Sequence, residues 1–365
     1  MTEKNAILLR IALRTGVFLL AIGVLIREIS CARQPREAIA QAKAAPAAAL
    51  HNYAVYAFDT QCRISLWGDG AEADQAATET SQLLTRLHAT LNRHDEASEL
   101  ARFNRAPANT PFACGDLLWK AFAVAREAYR HTDGTFDVTI GPLMAFWKQA
   151  AAHPEQEPDA DALADARRRV GLDKLVFDDE AHTITKTVEG MSVDFGGLAK
   201  GLALDMTLPL VKRPGISRIF LDFGGNLYLD NPAELPNAGE VLIRDPRSGN
   251  HLNGKMLVKL ANANRRFIAT SANSERPLLD NDGHFIGHIM DPRTGKPAQT
   301  MIQVTAIASC GAYSDIFSTA VFVDGEPLAE RLVHDLPDTG FVLLPADAGS
   351  PLSIGRADLV PANPR

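Results

Sequence analysis

Cysteine is scarce: four in 365 residues, at positions 31, 62, 114 and 310. None stands in a C-x-x-C arrangement, which leaves no zinc or redox motif to build on. Buried free thiols are the expectation for Cys62, Cys114 and Cys310, although in an oxidising compartment one pair could close a disulfide. A basic excess is also missing. Lys and Arg number 37 against 44 Asp and Glu, a formal charge of -7, so the chain lacks the clustered positive charge of a nucleic-acid footprint. No internal repeat of solenoid length is found. What remains is a chain of 46% hydrophobic residues, able to bury one large core or two moderate ones. Its expected partners are small molecules or proteins.

One long apolar run stands at the start. Lys4, Arg10 and Arg14 precede Thr15 to Ile26, which ends at Arg27-Glu28-Ile29-Ser30-Cys31. This is the layout of an export signal. With Ile7 to Leu13 included, the run reaches the roughly 20 residues of a spanning helix, N-terminus inside and body outside the cytoplasm. Cys31 follows a small residue, as a lipidation site requires, yet Glu28 stands where such signals usually carry Leu. The expected organisation is a signal peptide or membrane anchor over 1–30, an Ala-rich tether with Pro35 and Pro46 over 31–52, and a globular body over 53–360.

Within the body, Ala54 to Trp67 reads as an opening strand pair. Ala71 to Asn92 reads as a helix, with Leu83, Leu84, Leu87 and Leu91 at helical spacing. Cys114 to Thr132 reads as a second helix, stopped by Asp133-Gly134. A polar insert over His153 to Pro158 suggests a subdomain edge near 150–160, before a helical patch over Ala160 to Val170. Strands are expected at Lys174 to Thr187, Ser192 to Phe195, Arg218 to Leu229, Val241 to Arg244, Lys255 to Leu260 and Phe267 to Ser271. Without regular βαβ alternation, the fold class is α+β.

Four segments could carry chemistry. Val193-Asp194-Phe195-Gly196-Gly197-Leu198-Ala199-Lys200-Gly201 runs from a strand through a glycine turn into a helix, a phosphate-cradling layout. It is neither G-x-G-x-x-G nor a Walker A loop, and read alone it favours a tight structural turn. Asp222-Phe223-Gly224-Gly225-Asn226 repeats the device, where a turn linking strands requires no ligand. His288-Ile289-Met290-Asp291-Pro292-Arg293-Thr294-Gly295-Lys296-Pro297 gathers ionisable groups at the mouth of a turn. His284 lies four residues from His288, but flanking glycines favour a strand over a zinc-binding helix. Tyr313 to Gly325 reads as a helix that puts Asp315 and Thr319 on one face. Those hard oxygen donors suit magnesium, yet read alone Ser314 and Asp315 fit a helix N-cap better.

In this order, together with His94 to Asn104 and Asp133 to Leu143, these segments resemble the ApbE family, the FAD:protein FMN transferases. The resemblance covers Phe58 to Gly325. It implies an ApbE-like, mixed-sheet, T-fold-like body with flanking helices. It also implies Mg2+ held by Asp315, Thr319 and the Gly197 carbonyl, with FAD as substrate contacted by Asp194 and Lys200. Thr135, Phe136 and Asp137 match a stretch lining the FAD site, and Met290 another flavin-pocket position. His94 stands where relatives carry Tyr or Trp, and Phe58 replaces a Met-Gly-Thr pattern. Thr270-Ser271-Ala272-Asn273-Ser274-Glu275-Arg276 departs from a Thr-Ser-Gly pattern, and Ser318 replaces a second carboxylate of some relatives. The implied reaction is attack by a Thr or Ser hydroxyl of an acceptor flavoprotein subunit on the FMN phosphorus, expelling AMP, with His288 as candidate base. The implied location is the periplasmic face of the inner membrane. An FAD pyrophosphatase using water, or a non-catalytic flavin-binding lipoprotein, would share these features.

Overall fold

Residues 49–57 and 60–68 alternate between the two faces of a ribbon and pair in register from Ala49–Gly68 to Ala57–Thr60. The body thus begins at Ala49 rather than near Tyr53. The computed structural model describes residues 48–153, 156–235, 238–248, 255–273, 287–347 and 349–360. The apolar N-terminal run, Cys31, most of the tether, Ser274 to Arg276 and His284 lie outside the described residues. Among the described residues, no helix is long and apolar enough to cross a membrane.

In chain order the elements are β1 (Ala49–Ala57), β2 (Thr60–Gly68), α1 (Gly70–Leu91), α2 (Glu99–Arg105), β3 (Phe112–Ala113), α3 (Asp116–His131), α4 (Gly141–Ala152) and α5 (Ala160–Arg168). There follow β4 (Leu175–Asp178), β5 (Thr183–Lys186), α6 (Ala199–Val211), β6 (Ile216–Phe223), β7 (Asn226–Asp230), β8 (Val241–Arg244), β9 (Met256–Leu260) and β10 (Phe267–Ala272). The last are β11 (Met301–Ala308), α7 (Gly311–Asp324), α8 (Glu326–Asp335), β12 (Gly340–Pro345), β13 (Leu352–Gly355) and β14 (Leu359–Val360).

An open sheet of order β1-β2-β6-β7-β10-β11-β12-β13 carries the body, with two three-stranded sheets, β14-β9-β8 and β3-β5-β4, beside it. The expected mixed sheet is corrected here: every pairing between these strands is antiparallel. Two-residue links, 58–59 and 224–225, reverse the chain directly and leave no room for the long crossover that a parallel pair needs. Among the described residues the parallel contact is a single bridge, Ile140 to Ser192.

The central strands are buried on both faces, and the period-2 geometry of a strand divides their side chains between two cores. Tyr228, Phe267, Ala306, Phe341 and Leu343 join the main core with leucines of α1 and α6 and with Ile316 and Phe317 of α7. Their neighbours Leu229, Ile268, Ile307 and Val342 face a second core with Ile243, Val258 and Leu260 of the β8-β9 sheet. Helix α7 lies against β10, β11 and α6, which in turn touches α1.

Two further expectations change. Ser192 to Phe195 forms no strand beyond the bridge at Ser192. The side-chain amide of Asn104 donates to Val193 O (2.9 Å) and its oxygen accepts from Val193 N–H (2.8 Å), while Asp194 N–H donates to Val138 O (2.7 Å). The backbone is satisfied without a ladder. The 150–160 region marks no second unit, since one compact unit runs from Ala49 onward. It borders a small satellite core, Leu143, Ala166 and Val170.

Candidate functional site

A cavity of about 470 Å3 opens where two hairpin tips, the turn before α6, the first turns of α7, and the stretches 135–140 and 288–292 converge. Phe58, His94, Thr135, Phe136, Asp137, Asp194, Gly197, Lys200, His288, Met290, Asp315 and Thr319 all line it. Segments far apart in sequence meet here because the strands deliver their turns to one end.

The first wall is the β1-β2 tip. Phe58 and Asp59 both have positive φ, +54° and +59°, the backbone of a tight hairpin that normally calls for Asn-Gly. Left-handed backbone costs a side-chain-bearing residue about 1–2 kcal/mol. The turn is held because Phe58 N–H donates to His88 Nδ1 at 3.1 Å, with the two rings edge to face at 5.8 Å. The neighbouring β6-β7 tip packs on it: a Cβ at Gly224 (φ +64°) would stand 2.7 Å from Thr60 Cγ2, so glycine is required. The Gly224-Gly225 pair is therefore the strand link that its sequence suggests, with Gly224 on the cavity rim.

The second wall is the turn entering α6. Asp194 Oδ1 accepts from Gly196 N–H at 2.7 Å, and Oδ2 pairs with Arg93 Nε at 3.1 Å. Both oxygens are thus engaged within the protein. Lys200 Nζ lies 3.3 Å from Gly196 O and 3.5 Å from Asp315 Oδ1. Asp315, 4% exposed, accepts the Gly201 N–H on Oδ2 at 3.0 Å. Its carbonyl receives the hydroxyls of Ser318 (2.9 Å) and Thr319 (3.1 Å), and Ser271 Oγ lies 2.8 Å from Ser318 Oγ and 3.2 Å from Thr319 Oγ1.

The N-cap reading of Ser314 and Asp315 is corrected. Helix α7 starts at Gly311, and Asp315 sits one turn inside it. The carboxylate that receives the Gly311 and Ala312 amides, at 2.6 and 2.8 Å, is Asp205 of α6. Burial pushes the Asp205 carboxyl above the usual range and the two amides pull it back.

Asp315 Oδ1, the lone pairs of Thr319 Oγ1 and the Gly197 carbonyl are hard oxygen donors. The space at Gly197 belongs to a glycine, since a Cβ would stand 3.1 Å from the Phe136 ring and 3.2 Å from Thr319 Oγ1. Among the described residues, no three His, Cys, Asp or Glu side chains gather as a metal cluster. The set fits magnesium, which takes one or two carboxylates and keeps positions for water and phosphate. Lys200, 3.5 Å from Asp315 Oδ1, would stand beside such an ion.

Asp137 faces the cavity but builds its wall. Oδ1 accepts from Thr139 N–H (2.8 Å) and Oγ1 (2.7 Å), and Oδ2 from Leu172 N–H (2.9 Å). Burial pushes its carboxyl up against these bonds. The His288 to Pro297 segment forms one bridge, Met290 to Pro297, rather than a strand. Of its charged residues, Arg293 pairs with Asp291 (3.0 Å) and Asp324 (2.8 Å), so these shape the turn, leaving His288 and Met290 on the cavity. The sequence reading missed Arg93 and His88 as cavity residues. Adjacency to His94 is the one signal for Arg93.

Residues 58–343 match the ApbE family. The FAD:protein FMN transferase of Haemophilus influenzae is 25% identical over 284 residues, 76% of this chain and 81% of that protein. That of Vibrio cholerae is 28% identical over 264 residues, 70% and 75% of the two chains. Among solved structures, the flavin transferase ApbE from Vibrio cholerae aligns with a TM-score of 0.69 at 23% identity, covering 84% of this chain and 97% of that one. The ApbE protein from Thermotoga maritima gives 0.70 at 22%, covering 86% and 97%. At these identities the structural likeness speaks for the fold.

Proposed function

The chain belongs to the ApbE family, and from that premise we propose that it transfers the FMN part of FAD to a Thr or Ser hydroxyl of an acceptor protein, releasing AMP. One observation carries the reading. Asp315, Thr319 and Gly197 share a cavity with two cations, Lys200 and Arg93, and with His288. Its volume falls in the range of small-molecule sites, about 300–1,000 Å3.

Asp315, Thr319 and the Gly197 carbonyl would hold Mg2+. Bound there, the ion supplies charge neutralisation at phosphate oxygens. Lys200 offsets pyrophosphate charge from the same wall. Arg93, fixed by Asp194, adds a second cation, so Asp194 acts through the guanidinium it orients. Phe58, His94, Phe136 and Met290 supply aromatic and apolar surface for the flavin, with Thr135 beside Phe136 and Asp137 holding that loop. His288 would take the proton of the acceptor hydroxyl as that oxygen bonds to the FMN phosphorus and the bond to the AMP oxygen breaks. The acceptor is an electron-transfer subunit that carries flavin covalently.

We place the body on the periplasmic face of the inner membrane, on the strength of the basic and apolar run before Cys31. Intact mass of membrane-derived protein tests this: an unprocessed N-terminus indicates an anchor, and cleavage with added lipid at Cys31 a lipoprotein. The reaction is tested by incubating the purified chain with FAD, Mg2+ and a Thr-bearing acceptor. AMP equal to the flavin bound on the acceptor supports transfer; AMP matched by free FMN, with the acceptor unmodified, replaces it with hydrolysis.

A further inference from the structure

Neither α6 nor α7 is capped by a side chain of its own N-cap residue, although the first amides of a helix need acceptors. Each helix instead receives a carboxylate from the second turn of the other. Asp205 of α6 takes the Gly311 and Ala312 amides of α7, at 2.6 and 2.8 Å, and Asp315 of α7 takes the Gly201 amide of α6 at 3.0 Å. The two N-terminal turns touch backbone to backbone. A Cβ on Gly201 would run into Gly311 O and stand 2.8 Å from Asp315 Cβ, and one on Gly311 would run into Gly201 O and stand 3.2 Å from Asp205 Oδ1.

The two halves of this exchange differ in one respect: Asp315 lines the cavity, whereas Asp205 does not. We propose that Asp205 is a positioning residue, which fixes the start of α7 against α6 and thereby holds Asp315 and Thr319 on the cavity wall they share with Gly197, where they would serve a divalent cation. The inference rests on the metal assignment above. Asp205 accepts one amide on each of its two oxygens, which a carboxylate can do and an Asn, with one oxygen and one NH2 group, cannot. An Asn there would turn its NH2 group against one of them, so the first turn of α7 would shift and carry both side-chain ligands with it. Groups that orient metal ligands in this way typically matter by about 10–100-fold in metal affinity.

The test measures Mn2+ binding to the full chain by the loss of the free-ion EPR signal, alongside thermal melting, for the unmodified chain, Asp205→Asn, Asp205→Glu and Asp315→Ala. Asp205→Asn is expected to raise the half-saturating Mn2+ about 10–100-fold, with turnover returning towards the unmodified rate as metal is raised. A lower melting temperature with unchanged Mn2+ affinity makes Asp205 merely structural and overturns the proposal. If the Asn variant does not fold, Asp205→Glu, which keeps the charge and moves it by one methylene, is read the same way. Loss of Mn2+ binding in Asp315→Ala with none in the Asp205 variants defeats this inference alone. An unmodified chain that binds no Mn2+ defeats the metal assignment and this inference with it.

Discussion

At the scale of single residues, Asp315 has two tasks, which one substitution removes together and two measurements tell apart. As an acceptor for Gly201 N–H it supports α6, a role comparable to a cap and worth about 1 kcal/mol; as a candidate ligand it supports the reaction. Asp315→Ala is expected to lower the unfolding free energy by about that amount, read by urea titration. Turnover should fall on the order of 100-fold or more, the usual scale for losing a charge-stabilising group. Full activity in Asp315→Ala removes it from the site. Arg93→Ala should raise KM for FAD about 10-fold through loss of a charge-assisted contact, measurable from initial rates, with a smaller change in kcat. Phe58→Gly relieves left-handed strain of about 1–2 kcal/mol but adds chain entropy and loses the ring against His88. Melting should stay close to the starting value while KM for FAD rises. The Asp315/Thr319 pair was legible because four residues make one helical turn. Arg93 was not, because its partner Asp194 belongs to a distant segment and ion pairs across the chain leave no periodic trace.

At the scale of elements, the α6-α7 crossing is the feature on which the site depends. Gly201→Ala places a methyl where the backbone of Gly311 already stands. Overpacking of this kind costs about 1–3 kcal/mol, and here it should also raise the metal requirement, because Asp315 is displaced by the same movement. A melt that drops together with metal affinity is the expected result of paired thermal and Mn2+ titrations; a stable variant with native affinity would show that the crossing tolerates separation. Sequence reading found the glycine turn from its punctuation, α6 from the apolar residues that follow it, and α7 from the apolar stretch Tyr313 to Gly325. It assigned the cap of α7 to Ser314 and Asp315 because local rules look to nearby residues, whereas the acceptor is Asp205 of another helix. The start of β1 was hidden for a related reason: Ala49 and the residues around it look like tether until pairing with β2 gives them a partner.

At the scale of the whole molecule, two cores on either face of one antiparallel sheet hold the turns that build the cavity. Three thiols report on that packing. Cys62, Cys114 and Cys310 are free, and burial pushes each up to about 12. At pH 8 they stay protonated in the folded chain, and the thiolate is the reactive form. In a chain carrying Cys31→Ser, a thiol reagent should therefore react slowly until denaturant unfolds the body and then modify all three. Rapid reaction without denaturant would mean that the packing is looser than described. The mixture of sheet and flanking helices was readable from the order of the segments, and helices such as α1 from periodicity. The all-antiparallel pairing was not, since strand direction follows from which hairpins close rather than from any single strand.

The central claim is that this cavity moves FMN onto a protein hydroxyl. Its most direct test is mass spectrometry of a Thr-bearing acceptor after incubation with the purified chain, FAD and Mg2+, with an acceptor in which that Thr is replaced by Val as control. The predicted result is a mass gain of one FMN group, localised to the Thr, absent from the Val control and lost when the metal is chelated. An unmodified acceptor beside accumulating FMN and AMP, or a flavin bound at a residue without a hydroxyl, would contradict it.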